Sequence, residues 1–188
     1  MATYKDIVGT AVRNNAGNLT TAEKGQVWFD STNIDFKYLF PTTLTSWRTG
    51  NNCNNTREYG TGTGVDNSAV LIWGNYPNSA ICEQYNGVNW TEVGDLNTAR
   101  RYPGAAGTYT AALGFGGGTP ITGKTEKWDG SSWTEVNDLN TARNELAGAG
   151  STNTEALAFG GVEPPVSAKT ESWNGTSWTE VADLGTAR

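Results

Sequence analysis

Residues 90–100, 133–143 and 178–188 spell one phrase three times: WTEVGDLNTAR, WTEVNDLNTAR and WTEVADLGTAR. Nine of the eleven positions are identical, and only the fifth and eighth change. Identical residues carry identical local preferences, so a chain that repeats itself this closely is expected to repeat one supersecondary unit. Trp47, Trp90 and Trp133 are spaced by 43 residues and Trp178 follows 45 later, and Arg57, Arg100, Arg143 and Arg188 keep the same spacing. The stretch 47–57, WRTGNNCNNTR, is therefore a worn copy that keeps the Trp and the Arg. Three full units follow, 57–99, 100–142 and 143–188.

A period in the low forties suits four short strands with their turns, the size of one propeller blade. Small residues open each unit, as in Pro103-Gly104-Ala105-Ala106-Gly107 and Ala147-Gly148-Ala149-Gly150. An alternating segment follows, Ala112-Leu113-Gly114-Phe115 or Ala156-Leu157-Ala158-Phe159, with large residues at every second position as a half-buried strand requires. A glycine pair closes it, at 116–117 and 160–161. After a variable loop come Thr125-Glu126-Lys127-Trp128 and Thr170-Glu171-Ser172-Trp173. Asp129-Gly130 and Asn174-Gly175 then supply the positive φ of a tight hairpin, leading to Trp133-Thr134-Glu135-Val136. Each unit reads as a four-stranded antiparallel meander. Small residues are expected on the innermost strand, where strands crowd, and tryptophans between neighbouring sheets. No 3.6-residue apolar stripe supports a helix.

The glycine pair, the Glu-x-aromatic, the Asp/Asn-Gly turn, the Trp five residues after the aromatic and the closing Thr-Ala-Arg together resemble the kelch repeat. The likeness covers 57–188, and unit 57–99 departs from it at Trp73-Gly74 and Tyr85. It implies an all-β chain of kelch-type β-propeller blades, and blade contacts held by Trp90, Trp133, Trp178, Arg57, Arg100 and Arg143. The arginines are expected to bond a nearby carboxylate, Glu126 or Asp95 and their equivalents. Three units and a worn fourth leave a ring short, so the expectation is either further repeats after Arg188 or completion of a partial blade by another chain.

Several function classes lose support at this point. Kelch-like propellers include copper radical oxidases whose copper rests on histidine, and this chain has no histidine, so neither a catalytic metal nor a Ser-His nucleophile is expected. No cofactor is implied. Asp129-Gly130-Ser131-Ser132-Trp133 resembles the Asp-box turn of sialidases, but it recurs in phase with the repeat; a residue needed in every unit is scaffold. A net charge of −6 argues against a nucleic-acid partner, which calls for clustered Lys and Arg. No window approaches the ~18 apolar residues of a membrane span, and the N-terminus lacks the order of a signal peptide. Cys53 and Cys82 are too few to staple the chain.

Residues 1–46 stand outside the repeats. Within GQVWFDSTNIDFKYLF, 25–40, Val27–Asp30 and Asp35–Leu39 read as a hairpin behind an extended polar arm. This wording resembles a short β element near the N-termini of bacteriophage tail-fibre and other virion proteins. The repeats' wording resembles structural proteins of marine phages. The likeness implies a non-enzymatic virion component, a tail or head fibre or adaptor, assembled in the host cytoplasm. Its partners would be other virion proteins, further copies of itself and a host-surface glycan or protein. A bacterial kelch-type interaction module is the alternative reading, and a propeller-based hydrolase the third. Contacts are expected at the loops between second and third strands, which vary while the hairpin turns do not. These loops carry Tyr76, Pro77, Thr119, Pro120, Ile121, Glu163, Pro164 and Pro165, and their prolines lower the entropy lost on docking.

Overall fold

The computed structural model describes residues 13–15, 27–30, 32, 35–38 and 50–188, in two units, Met1–Thr49 and Gly50–Arg188. In the first unit β2 (Val27–Asp30) and β3 (Asp35–Tyr38) pair antiparallel, as a hairpin reading requires. A strand within the polar arm, β1 (Arg13–Asn15), adds to β2 in parallel. The sequence gives no alternating pattern there, because Arg-Asn-Asn has no apolar face. Trp47 of the worn repeat, Leu39 of the hairpin and the remaining residues of 1–49 lie outside the described residues.

The second unit is three four-stranded antiparallel sheets in chain order, and among the described residues there is no helix. The first sheet holds β4 (Thr61–Asp66), β5 (Ala69–Trp73), β6 (Cys82–Tyr85) and β7 (Trp90–Glu92). The second holds β8 (Gly104–Thr108), β9 (Ala111–Phe115), β10 (Thr125–Trp128) and β11 (Trp133–Val136). The third holds β12 (Ala147–Thr152), β13 (Glu155–Phe159), β14 (Thr170–Trp173) and β15 (Trp178–Val181). Each is a plain meander with neighbouring strands consecutive in sequence.

The last hairpin of each sheet shows how the sequence fixes register. Trp128 pairs with Trp133 across the turn. Gly130 takes φ 100°, a left-handed value that L residues disfavour. The Asp129 carboxylate accepts the Ser131 and Ser132 backbone N–H groups at 2.8 and 2.9 Å. Those amides, with both serine hydroxyls, lower its pKa to about 2.

Alternation on the second strand of each sheet sends successive side chains to opposite neighbours. Leu71 and Trp73 pack forward onto Ala112, Trp128 and Trp133, while Leu113 and Phe115 pack forward onto Ala156, Trp173 and Trp178. Trp73 meets Trp133 edge-on with centroids 5.0 Å apart, and Phe115 meets Trp178 in the same way at 5.0 Å. Such edge-to-face pairs add about 0.5–1.5 kcal/mol beyond burial. The Trp178 indole N–H also donates to Thr125 Oγ1 at 3.1 Å across the same boundary. Leu71 and Leu113 are 0% exposed, whereas Leu157, at the corresponding place on the third sheet, is 40% exposed.

Small residues on the first strands answer a close approach. A Cβ at Gly148 would lie 2.2 Å from the Ala105 carbonyl oxygen and 2.6 Å from the Phe115 ring. The Thr63 hydroxyl donates to the Gly107 carbonyl across the first two sheets.

Candidate functional site

Two sets of polar side chains stand out, one repeated in every sheet and one present once. The repeated set is built on the segment that leads into each sheet. Glu126 on β10 is 0% exposed and receives four donors. Its Oε1 accepts from Arg100 Nη2 at 2.5 Å and Thr98 N–H at 3.1 Å. Its Oε2 accepts from Asn97 N–H at 2.6 Å and Asn97 Nδ2 at 3.0 Å. Arg100 also donates to the Lys124 and Gly116 carbonyls at 2.7 and 3.2 Å. All these donors lie in the segment that runs on from the first sheet, while the acceptor lies on the second. Glu171 receives Arg143, Asn140 and Thr141 in the same manner. Glu83 receives Arg57, Asn54 and Asn55.

Of the two acceptors anticipated for the arginines, Glu126 is the one used. Asp95 instead accepts the Cys82 backbone N–H at 3.2 Å, capping the third strand of its own sheet; Asp138 and Asp183 do the same for Thr125 and Thr170. Burial tends to push the Glu83 carboxyl up. The hydrogen bonds from Arg57, Asn54 and Asn55 outweigh that and hold it below the ordinary carboxylate range. Burial pulls the Arg100 guanidinium below its ordinary value, against the opposing charge of Glu126.

Trp133 and Trp178 lie buried between sheets at 6% and 5% exposure. Trp90 is only half-buried. Tyr85 stands where the other sheets have Trp128 and Trp173, and Trp90 stacks on that smaller ring at 5.0 Å. Its indole N–H donates to the Asn51 carbonyl at 3.0 Å.

The second set lies along the edge formed by the second-to-third-strand loops. Tyr76, Pro77, Thr119, Pro120, Pro164 and Pro165 are exposed, and Ile121 and Glu163 are half-buried. The structure joins the first two loops, since Asn78 Nδ2 donates to the Thr119 carbonyl at 3.0 Å. The third loop closes on itself through the Val162–Val166 bridge, and Glu163 pairs with Lys169 at 3.1 Å. No hydrogen bond or ion pair of this third loop with Tyr76, Pro77, Thr119 or Pro120 appears among the described residues.

Tyr59, Arg101 and Tyr102 complete the edge, and the loop comparison had not singled them out. Tyr59 and Tyr102 stack with centroids 4.4 Å apart, and Tyr59 meets Tyr76 edge-on at 6.1 Å. Arg101 lies over the Tyr76 ring at 4.9 Å and the Tyr102 ring at 5.5 Å, and its Nε donates to Thr119 Oγ1 at 3.1 Å. Hydrogen bonds to Glu58 and Tyr102 raise the Tyr59 phenol to about 12, so it is neutral at physiological pH.

The backbone beneath is regular. Tyr59, Tyr102 and Glu145 take φ of 59°, 55° and 54°. Tyr102 N–H donates to the Tyr59 carbonyl at 2.7 Å and Glu145 N–H to the Tyr102 carbonyl at 3.1 Å. Left-handed non-glycine residues are uncommon and bulky ones more so, so the frame over-determines this turn in all three sheets while the side chain it displays changes. The signal available in the sequence was the tyrosine two places after Arg57 and again after Arg100.

Among the described residues no group of three or more Cys, Asp or Glu side chains is placed to hold a metal ion. No family model matches the chain, and no curated protein matches it. Among solved structures, one described as the structure of YjhT aligns with a TM-score of 0.60 at 12% identity, covering 72% of this chain and 54% of that one. The chain thus spans about half the length of that neighbour, and the likeness is one of fold.

Proposed function

We propose that the chain is a non-enzymatic structural and binding protein of a bacteriophage particle, a tail or head fibre or adaptor, whose sheets are kelch-type propeller blades. One observation carries the non-enzymatic part. Every buried charged side chain among the described residues, Glu83, Arg100, Glu126, Arg143 and Glu171, sits in the repeated clamp where an incoming segment meets a sheet. Catalysis by acid, base or nucleophile draws on ionisable groups whose environment is special to one place, and here the special environments are copies of each other. The side chains that break the repeat are instead aromatic and cationic, exposed (Tyr59, Tyr76) or half-buried (Arg101, Tyr102) and gathered on one edge, as in a contact surface. The blade reading draws support from the meander sheets, the crowding of their small first strands and the likeness of fold to the YjhT structure. The virion role draws on the wording of 25–40 and of the repeats.

Replacing the loops 75–79, 118–123 and 162–167 with short Asn-Gly turns tests the reading. The variant is expected to keep its sheets and lose either attachment to particles or adsorption to host cells. Unchanged attachment and adsorption would refute a contact role for this edge. A protein that never fractionates with particles would refute the virion role and favour a bacterial interaction module.

A further inference from the structure

We propose that Arg101, Tyr76, Tyr59 and Tyr102 form a binding site for a saccharide bearing a carboxylate, a uronic-acid type of sugar. The proposal rests on the contact-edge reading above and gives that edge a ligand class.

The arginine supplies the first argument. Arg57, Arg100 and Arg143 each pair with a glutamate on the third strand of the sheet that follows them. Arg101 makes no ion pair with a carboxylate among the described residues, and its one hydrogen bond there is from Nε to Thr119. Its guanidinium plane is nevertheless fixed, with Tyr76 and Tyr102 beneath it and Thr119 at the Nε corner. Both terminal nitrogens are left to donate, in the fork geometry that fits a carboxylate with two parallel bonds. Thr119 is in turn tied to the first loop by Asn78, so guanidinium and ring are set in place before a ligand arrives, which reduces the ordering cost of binding.

The tyrosines supply the second. Tyr59 and Tyr76 remain 45% and 52% exposed. A pyranose ring can lay its C–H face on a tyrosine and direct its hydroxyls to the polar atoms of the edge. The third argument is the internal comparison. The positions of Arg101 in the other units are Glu58 and Asn144, and the third unit has Glu145 where the first two have tyrosine. The cluster therefore occurs once, where the first and second units meet.

Isothermal titration of the full chain with a glucuronate-containing tetrasaccharide, and with the same sugar after reduction of its carboxylates to alcohols, separates the contributions. The acidic sugar is expected to bind at least about tenfold more tightly than its reduced counterpart, as a charge-assisted fork implies. That preference should shrink as salt rises from 50 to 500 mM, by screening. Arg101→Gln should bring the two sugars to equal affinity, and Tyr76→Ala should weaken both. Arg101→Gln removes no buried pair, and its unfolding midpoint serves as the check that the sheets persist. Equal binding of the two sugars by the native chain would overturn the proposal while leaving a glycan-binding edge intact. An unchanged preference in Arg101→Gln would place the carboxylate elsewhere and overturn it too. Absence of binding to either sugar at 10 mM would overturn it while leaving protein contacts of the edge to the loop-replacement experiment.

Discussion

Glu126→Gln is the most informative single change, because it keeps shape and removes only charge and one acceptor. The native carboxylate receives donors on both oxygens, Arg100 Nη2 and Thr98 N–H on one and two groups of Asn97 on the other. A carboxamide has one acceptor oxygen and one NH2 group, so whichever way it lies two donors face a donor. Either way a guanidinium with 0% side-chain exposure loses its counter-charge, and if the NH2 faces Arg100 it loses its hydrogen bond as well. If the NH2 faces Asn97, the linker loses both bonds that seat it. Removing one partner of a buried pair costs about 3–5 kcal/mol. The retained oxygen brings the expectation for Gln to about 3 kcal/mol, and for Glu126→Ala to the upper part of that range. Against a typical total of about 5–15 kcal/mol this is a large share. The internal control is Lys124–Glu135, with side chains 39% and 46% exposed, where Lys124→Ala should cost under about 1 kcal/mol. Urea unfolding followed by tryptophan fluorescence measures both, with amide exchange at Asn97 and Thr98 as the local readout. A loss below about 1 kcal/mol for Glu126→Gln, or no faster exchange at those two amides, would refute the view that the clamp couples the sheets.

Three further outcomes follow from the same geometry. Glu83 is held below the ordinary carboxylate range in the folded chain, so its contribution is complete above the unfolded value of about 4.3 and is lost as pH falls through the folded value; Glu83→Gln should flatten that stretch of an acid-unfolding curve. Leu113→Ala should cost about 2–5 kcal/mol, because Leu113 is fully enclosed, whereas Leu157→Ala at 40% exposure should cost less than half as much in the same urea assay. Burial pushes the Cys82 thiol up to about 12, so a thiol reagent at pH 8 should modify Cys82 only after unfolding, as peptide mapping of the labelled chain would show.

The parts of the fold legible in the sequence are those written more than once. Trp128, Trp133 and the Asp129-Gly130 turn recur in phase, and period-two alternation from Ala112 to Phe115 gives the strand and its two faces. The choice between Glu126 and Asp95 was not legible, since both are acids at fixed offsets from an arginine. Only the path of the incoming tail, which seats Asn97 on the Trp133 carbonyl of β11, shows which carboxylate lies under it. The clamp at Asn54 and Asn55 was hidden for another reason. The surrounding letters of 47–57 are worn, yet the bonds need only two backbone amides, one carboxamide and an arginine, and much else there is free to change. Tyr59 and Tyr102 escaped because a left-handed φ at a tyrosine is set by tertiary contacts rather than by its own preference. The parallel strand β1 escaped because backbone pairing leaves no trace in a polar tripeptide.

The division of the clamp between two sheets has a consequence for how such a chain changes over generations. Donors come from the segment leading into a sheet, which for Arg100 and Arg143 is the tail of the sheet before, and the acceptor from that sheet's third strand; the chain separating them is 26 residues for Arg57–Glu83 and Arg100–Glu126 but 28 for Arg143–Glu171. The added length leaves the bonds of the third clamp in place, so insertions between the two anchor points leave the joint untouched. A recombination event with its crossover inside the shared WTEV-x-DL phrase would exchange or duplicate one whole sheet together with its exposed loop, and both new joints would meet chemistry they already fit. Selection can then act on the displayed edge by swapping cassettes, with no simultaneous repair of the interior.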